Sequence, residues 1–211
     1  MKKASDYRAM ARETLQGRWN EAAILGLVYF LVSLVAELPS LVGSSELWAA
    51  SITGILSILL LLPLGYVLYN VFLHKVHNWD ITPLEDAKHM FVNRYSTALL
   101  SMFAIGLIVF VASIFTFGIL GVILAFAYQL TPYILEENPN MGIREAMHAS
   151  RMMMRGHKWQ LFCLGWSFIG WILLAILTAG IGLVWLMPYI YTAYAHFYED
   201  VKAENVPVEI Q

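Results

Sequence analysis

Polar and apolar residues in this chain do not alternate. They fall into long uncharged blocks separated by short charged stretches. Ala22–Val42 is broken only by Glu37, and Leu47–Leu73 carries no charge. Tyr95–Leu135 runs 41 residues without a charge and Trp159–Ala195 runs 37. A helix crosses the hydrocarbon of a bilayer in roughly 20 residues at about 1.5 Å per residue. The first two blocks therefore hold one span each. The longer two hold a pair each, turning near Phe117-Gly118 and near Ala179-Gly180-Ile181-Gly182. The pattern predicts an all-α polytopic membrane protein, with six transmembrane helices arranged as three hairpins. A β-barrel would need short segments of alternating polarity, and these blocks are solidly apolar.

The charged stretches orient the spans. Lys2, Lys3, Arg8, Arg12 and Arg18 precede the first. Lys75, Lys88 and Arg94 lie between the second and third. Arg144, Arg151, Arg155 and Lys158 lie between the fourth and fifth, and Lys202 follows the sixth. These are all 13 Lys and Arg residues of the chain. In a six-span arrangement every one of them falls on the same side, which the positive-inside rule makes cytoplasmic, with both termini there too. The first apolar run begins well behind the N-terminal cations and lacks a small-residue cleavage site, so it reads as an uncleaved span. Residues 1–202 then form a single membrane domain, and 203–211 a polar tail.

Each cytoplasmic segment before a hairpin reads as an amphipathic helix. The first is expected to start at Ser5 as N-cap and to end at Gly17. The second starts with Thr82-Pro83-Leu84-Glu85, a capping box with proline in the first helical position. The third runs from near Asn138-Pro139-Asn140 to Gly156. It places Arg144, His148, Arg151 and Arg155 on one face, and Ile143, Met147 and Met154 on another. A basic residue and an aromatic follow each helix: Arg18-Trp19, Arg94-Tyr95, Lys158-Trp159. The second helix of each hairpin carries one proline: Pro63, Pro132, Pro188. A threefold parallel repeat is expected, over 1–74, 75–138 and 139–202. The prolines free the carbonyls of Leu59, Tyr128 and Val184, which must find other partners or sit in packed interfaces. They mark kinks, or hinges lining a cavity.

Composition sharpens the class. The chain is 59% hydrophobic and 13% charged, with net charge −2. Soluble domains carry about twice that charge, and no basic excess points to nucleic acid. The single Cys163 excludes an intramolecular disulfide. Ionisable residues inside the spans would point to ion coupling. Only Glu37, near the end of a span, and the amide Gln129 stand out, and Gln129 is expected to bond between helices. Ala22/Gly26, Gly121/Ala125 and Cys163/Ser167 recur at helix-packing spacing.

Candidate chemistry is sparse. The histidines His74, His77, His89, His148, His157 and His196 all lie in the cytoplasmic segments. They form no HExxH motif, and the chain holds no CxxC. Glu136-Glu137 starts an EExxxR pattern, but Met141 stands where the arginine would be. No catalytic residue, metal ligand or cofactor site is expected. The basic face Arg144, Arg151, Arg155 and Lys158 is the candidate contact for anionic lipid headgroups, with each cation worth roughly 1 kcal/mol against an anionic leaflet.

Two stretches carry a family resemblance. In the C-terminal third it rests on Ser150-Arg151, Met154, Gly156, Lys158, Phe162, Ser167-Phe168-Ile169-Gly170-Trp171, Gly182, Trp185, Pro188-Tyr189 and Phe197-Tyr198. At the start it rests on "YRAMARETLQGRWNEA". Together these resemble a bacterial membrane family catalogued as Domain of Unknown Function nine-seven-five. The resemblance implies a bacterial inner-membrane protein without an assigned activity and supplies no catalytic residues.

The expected function is a non-enzymatic multi-pass protein of the cytoplasmic membrane, acting through lipids or a membrane-protein partner. One alternative is a channel or transporter for a small neutral or apolar solute. It would use Pro63, Pro132, Pro188 and Gln129, with Tyr66, Tyr133, Tyr189 and Tyr191, around a cavity. Another is a lipid-modifying enzyme, which requires His74, His77 and His196 to converge.

Overall fold

The computed structural model describes residues 2–42, 46–80, 82–116 and 118–205. It is all-α: 85% of the described residues are helical, and no strand occurs among them. The helices are α1 (Ala4–Leu15), α2 (Trp19–Val42), α3 (Glu46–Leu56), α4 (Leu62–His77), α5 (Pro83–Phe115), α6 (Ile119–Tyr128), α7 (Thr131–Glu137), α8 (Ile143–Met153), α9 (Lys158–Trp166), α10 (Ile169–Leu177) and α11 (Leu183–Asn205). A π-helical turn, Ser57–Leu61, joins α3 to α4.

Among the described residues five stretches are long and apolar enough to cross a membrane: Trp19–Pro39, Ser51–His77, Pro83–Phe115, Ile119–Glu137 and Lys158–Leu177. α11 is 23 residues long but less apolar, because it carries four tyrosines, His196 and an acidic end. It lies inside the bundle, packed on α1, α2 and α4. Ten of its residues are buried, among them Pro188, Thr192, Phe197 and Tyr198. The outward surface of the other helices is a belt of large apolar side chains, including Leu31, Ile55, Phe110, Ile114, Ile119, Leu173 and Leu177. A water-soluble monomer does not expose such a surface.

Local chemistry explains most boundaries. Thr82 caps α5: its hydroxyl accepts from Glu85 N at 3.3 Å, and the Glu85 carboxylate accepts from Thr82 N at 3.4 Å. The N-cap of α1 is Lys3 rather than the expected Ser5. Asp6 reaches back to accept the Lys3 N–H at 2.8 Å, which moves the start two residues earlier. That donation also holds the Asp6 carboxyl below its usual pKa. Gly17 (φ +77°) follows α1 and Gly156 (φ +86°) closes the turn after α8, left-handed positions that glycine adopts without strain. α8 begins at Ile143, capped by Gly142, several residues beyond Pro139.

The middle segment differs from the expectation of a separate surface helix. No glycine interrupts Phe91–Tyr95, so the capped helix runs straight on as α5, 33 residues and about 50 Å long. The turn after it is marked by Gly118 (φ +89°); its neighbour Phe117 lies outside the described residues, as does 206–211 of the expected tail. The turn at 179–182 is present, with Ala179 and Gly180 both at positive φ. Pro39 lies inside α2, so proline is not confined to the second helix of each hairpin.

Candidate functional site

Pro63 and Pro132 stand at helix starts and Pro188 lies inside continuous α11, and the backbone around each meets a different neighbour. Ahead of Pro63 the chain widens into the π-helical turn, and the Tyr95 hydroxyl donates to the freed Leu59 carbonyl at 2.9 Å. Around Pro132 the helix parts between α6 and α7. There Ser150 of α8 donates to Ala127 O at 2.8 Å and accepts from Leu130 N at 3.2 Å. The Val184 carbonyl, freed by Pro188, lies against Gly26 of α2. A Cβ at Gly26 would stand 2.3 Å from that oxygen. The small residues Ala22 and Gly26 therefore seat α11. Gly121 likewise seats Ser113, so that α6 folds back closely on α5.

Pro132 and Gln129 border a pocket of about 220 Å³ with Tyr69 and Tyr128, whereas Pro63 and Pro188 do not line it. Gln129 Nε2 donates to Tyr69 Oη at 2.8 Å, an interhelical bond as its position suggested. Beneath it, tyrosine rings fill the interior. Tyr69 meets Tyr133 and Tyr191 edge-on at 5.5 and 4.8 Å, and Tyr133 stacks on Tyr198 at 4.8 Å. Tyr66 and Tyr133 are fully buried, and Tyr66 donates to Glu136 at 3.1 Å. Tyr189 belongs to a different cluster, against Trp19 and Phe168. The tyrosines therefore pack as rings on rings. Sequence reading missed Tyr69 and Tyr198 as parts of this core; the signal was tyrosine recurring within spans instead of at their ends.

One end of the bundle collects the charged groups. Tyr198 and Lys202 converge on Glu137 at 2.6 and 2.5 Å, and Lys2 pairs with Asp200 at 2.6 Å. His77 meets Glu199 at 3.2 Å and His157 meets Glu204 at 3.6 Å. Asp86 is buried between His74 and Lys75, with Lys75 Nζ at 3.0 Å. Arg18 lies over the Trp79 ring at 5.0 Å. Tyr7 is buried against Phe197, and burial, with Asp200 close by, raises its pKa.

The histidines disperse among these contacts. His196 Nε2 lies 2.8 Å from the Thr14 hydroxyl, while His74 and His77 face different carboxylates. Among the described residues no three His, Cys, Asp or Glu side chains gather as a metal-binding group. The convergence that the lipid-modifying enzyme required is absent there.

α8, the turn after it and the start of α9 present a further group of cations. The inner face of α8 buries Ala146, Met147 and Ser150. Arg144, Arg151 and Arg155 are exposed and Lys158 is half-buried. None of the four makes an ion pair among the described residues. Glu145, the acidic residue beside Arg144, accepts from Gly142 N at 3.3 Å, and Glu136, Glu137, Glu199 and Asp200 are engaged by tyrosine, lysine or histidine.

No curated protein and no solved structure matches the chain. A family model described as protein of unknown function (DUF975) matches residues 89–205. The match runs from the foot of α5 to the end of α11, so it includes the basic face of α8, two of the three prolines and the whole C-terminal stretch of resemblance. With more than half its length inside that match, the chain belongs to the DUF975 family of proteins of unknown function.

Proposed function

We propose that this protein is a six-span, non-enzymatic component of the cytoplasmic membrane, with both termini on the cytoplasmic side, and that it engages anionic lipid headgroups through α8. The sixth span is α11. Its tyrosines and acidic end lower its hydropathy, but protein rather than lipid surrounds it, so it does not need a fully apolar surface. All 13 Lys and Arg residues then share one side, as the positive-inside rule requires. The charged contacts that join the N-terminus, α4, α7 and α11 at one end support the same arrangement.

One observation carries the lipid reading. Glu136, Glu137, Glu199 and Asp200 are taken up by tyrosine, lysine or histidine and Glu145 accepts from the Gly142 N–H at the start of α8, whereas Arg144, Arg151 and Arg155 stand exposed and make no ion pair among the described residues. Such a surplus on α8 and the turn that follows it fits the negative potential of an anionic leaflet. The test is to reconstitute the protein in vesicles of one part phosphatidylglycerol to three of phosphatidylcholine. Polymer-bounded discs are then cut out and their lipids counted. Discs holding the wild type should be enriched in phosphatidylglycerol, and an R144A/R151A/R155A variant should lose most of that enrichment. Equal enrichment in both would defeat the proposal.

A further inference from the structure

Two grooves run along the apolar flank of the bundle, on different faces, and they are built alike. The first, about 450 Å³, lies between α1 and the α10–α11 hairpin. Trp171, Leu174, Trp185 and Leu186 form its walls, and Thr178 and Gly182 stand at the far turn. At the charged end it meets Trp19 and Tyr189, whose rings lie 6.1 Å apart, and Arg12. The second, about 420 Å³, lies between the α2–α4 hairpin and the foot of α5. Leu25, Val28, Val32, Leu60 and Leu64 form its walls, and Lys88 stands with Phe91 at its charged end. Among the described residues, Arg12 is the one charged residue lining the first groove and Lys88 the one lining the second.

The two cations occupy matching places in the chain. Arg12 lies seven residues before Trp19 and Lys88 seven before Tyr95, the aromatics that begin the first and third spans. Each follows a buried alanine, Ala11 at 0% and Ala87 at 6% exposure. The alanine pins the helix to the bundle, and the next residue is turned to the flank. Both cations are exposed, and neither makes an ion pair among the described residues. Each groove thus combines an apolar trough at the depth of lipid tails with one unpaired cation at the level of headgroups. Both volumes fall in the roughly 300–1,000 Å³ range of small-molecule sites.

We infer that the two grooves each hold one anionic phospholipid, its phosphate against Arg12 or Lys88 and an acyl chain along the trough. The inference rests on the membrane placement proposed above but not on α8, which lines neither groove. Charge complementarity selects this occupant. A neutral apolar segment would leave the cation without a partner, whereas a phosphate supplies one at the depth where headgroups lie.

The experiment takes the full chain, stripped of lipid in detergent, and titrates it with dioleoyl phosphatidylglycerol or dioleoyl phosphatidylcholine under native mass spectrometry. Two phosphatidylglycerol molecules should be retained per chain, with phosphatidylcholine about fivefold weaker at each site. R12Q should remove one and K88Q the other. R144A/R151A/R155A should keep both while losing bulk enrichment in discs, which separates this inference from the α8 proposal. L174W, which narrows the first trough without touching a charge, should also remove one. Retention of both lipids in R12Q/K88Q, equal binding of the two lipid types, or displacement by millimolar inorganic phosphate alone would each overturn it.

Discussion

α5 and α11 make opposite use of their sequences. α5 is the longer and more apolar, yet within its spanning part, from Tyr95 onward, only Ala98 and Ser101 are buried. α11 is too polar to be recognised as a span on hydropathy, yet ten of its residues are buried and it touches α1, α2 and α4. In water the most apolar helix would be expected at the centre. In lipid the driving force that would put it there is missing, because hydrocarbon solvates leucine as well as protein does. The centre goes instead to the helix whose hydroxyls, aromatic rings and carbonyls need protein partners. Packing and interhelical hydrogen bonds hold α11, whereas α5 is anchored mainly at its foot and along α4 and α6.

The largest effect that would break this contrast lies at Gly26. A side chain there meets the Val184 carbonyl, a backbone atom that cannot rotate away. Gly26→Val should destabilise the fold by more than about 3 kcal/mol in a steric-trapping measurement, the upper end of overpacking costs. Gly106→Ala in α5, where nothing lies within 4 Å, should be neutral or slightly stabilising. If the two glycines respond alike, α11 is not the tightly seated helix.

Next in size is the foot of α5. Asp86→Asn leaves the buried Lys75 ammonium without its counter-charge and should cost about 3 kcal/mol. K75M/D86L, which removes both charges, should recover most of that loss in thermal unfolding. Failure of the double variant to recover would mean that Asp86 acts through something other than the ion pair.

The smallest effect separates the packed from the lipid-facing side of α5 itself. Tyr95→Phe removes the hydroxyl that satisfies Leu59 O, and should cost about 1 kcal/mol. Phe110→Ala, on the exposed flank, should change stability by less than about 0.5 kcal/mol because lipid replaces the ring. A larger loss at Phe110 would place a protein neighbour on that flank.

The candidate site was partly legible in advance. Gln129 was expected to bridge helices, and Tyr69 is its partner. Arg144, His148 and Arg151 share a side of α8 because 3.6 residues per turn fixes which side chains do, whereas α8 ends at Met153 and leaves Arg155 in the turn beyond it. The grooves were not legible. Arg12 and Lys88 were read as topological charges, and nothing local indicates that Trp171 and Trp185 converge below one of them. The break between surface helix and span was also misjudged at α5, since its proline and capping box state where a helix starts but not where it stops.

The sequence by itself determined the class of molecule and its charged end, because lipid imposes long uncharged runs and confines cations regardless of how helices are arranged. It also determined that three carbonyls would be freed by proline, a covalent consequence needing no neighbour. Tertiary structure alone decided what met them. Tyr95 lies 36 residues from Leu59, and Gly26 reaches Val184 from the other end of the chain; ahead of Pro132, Ser150 meets the Ala127 carbonyl, one residue before the freed Tyr128, from 23 residues away. Such partners depend on which helices pack together, and in a bilayer that choice turns on close backbone approach and a few hydrogen bonds, not on the hydropathy that dominates the sequence.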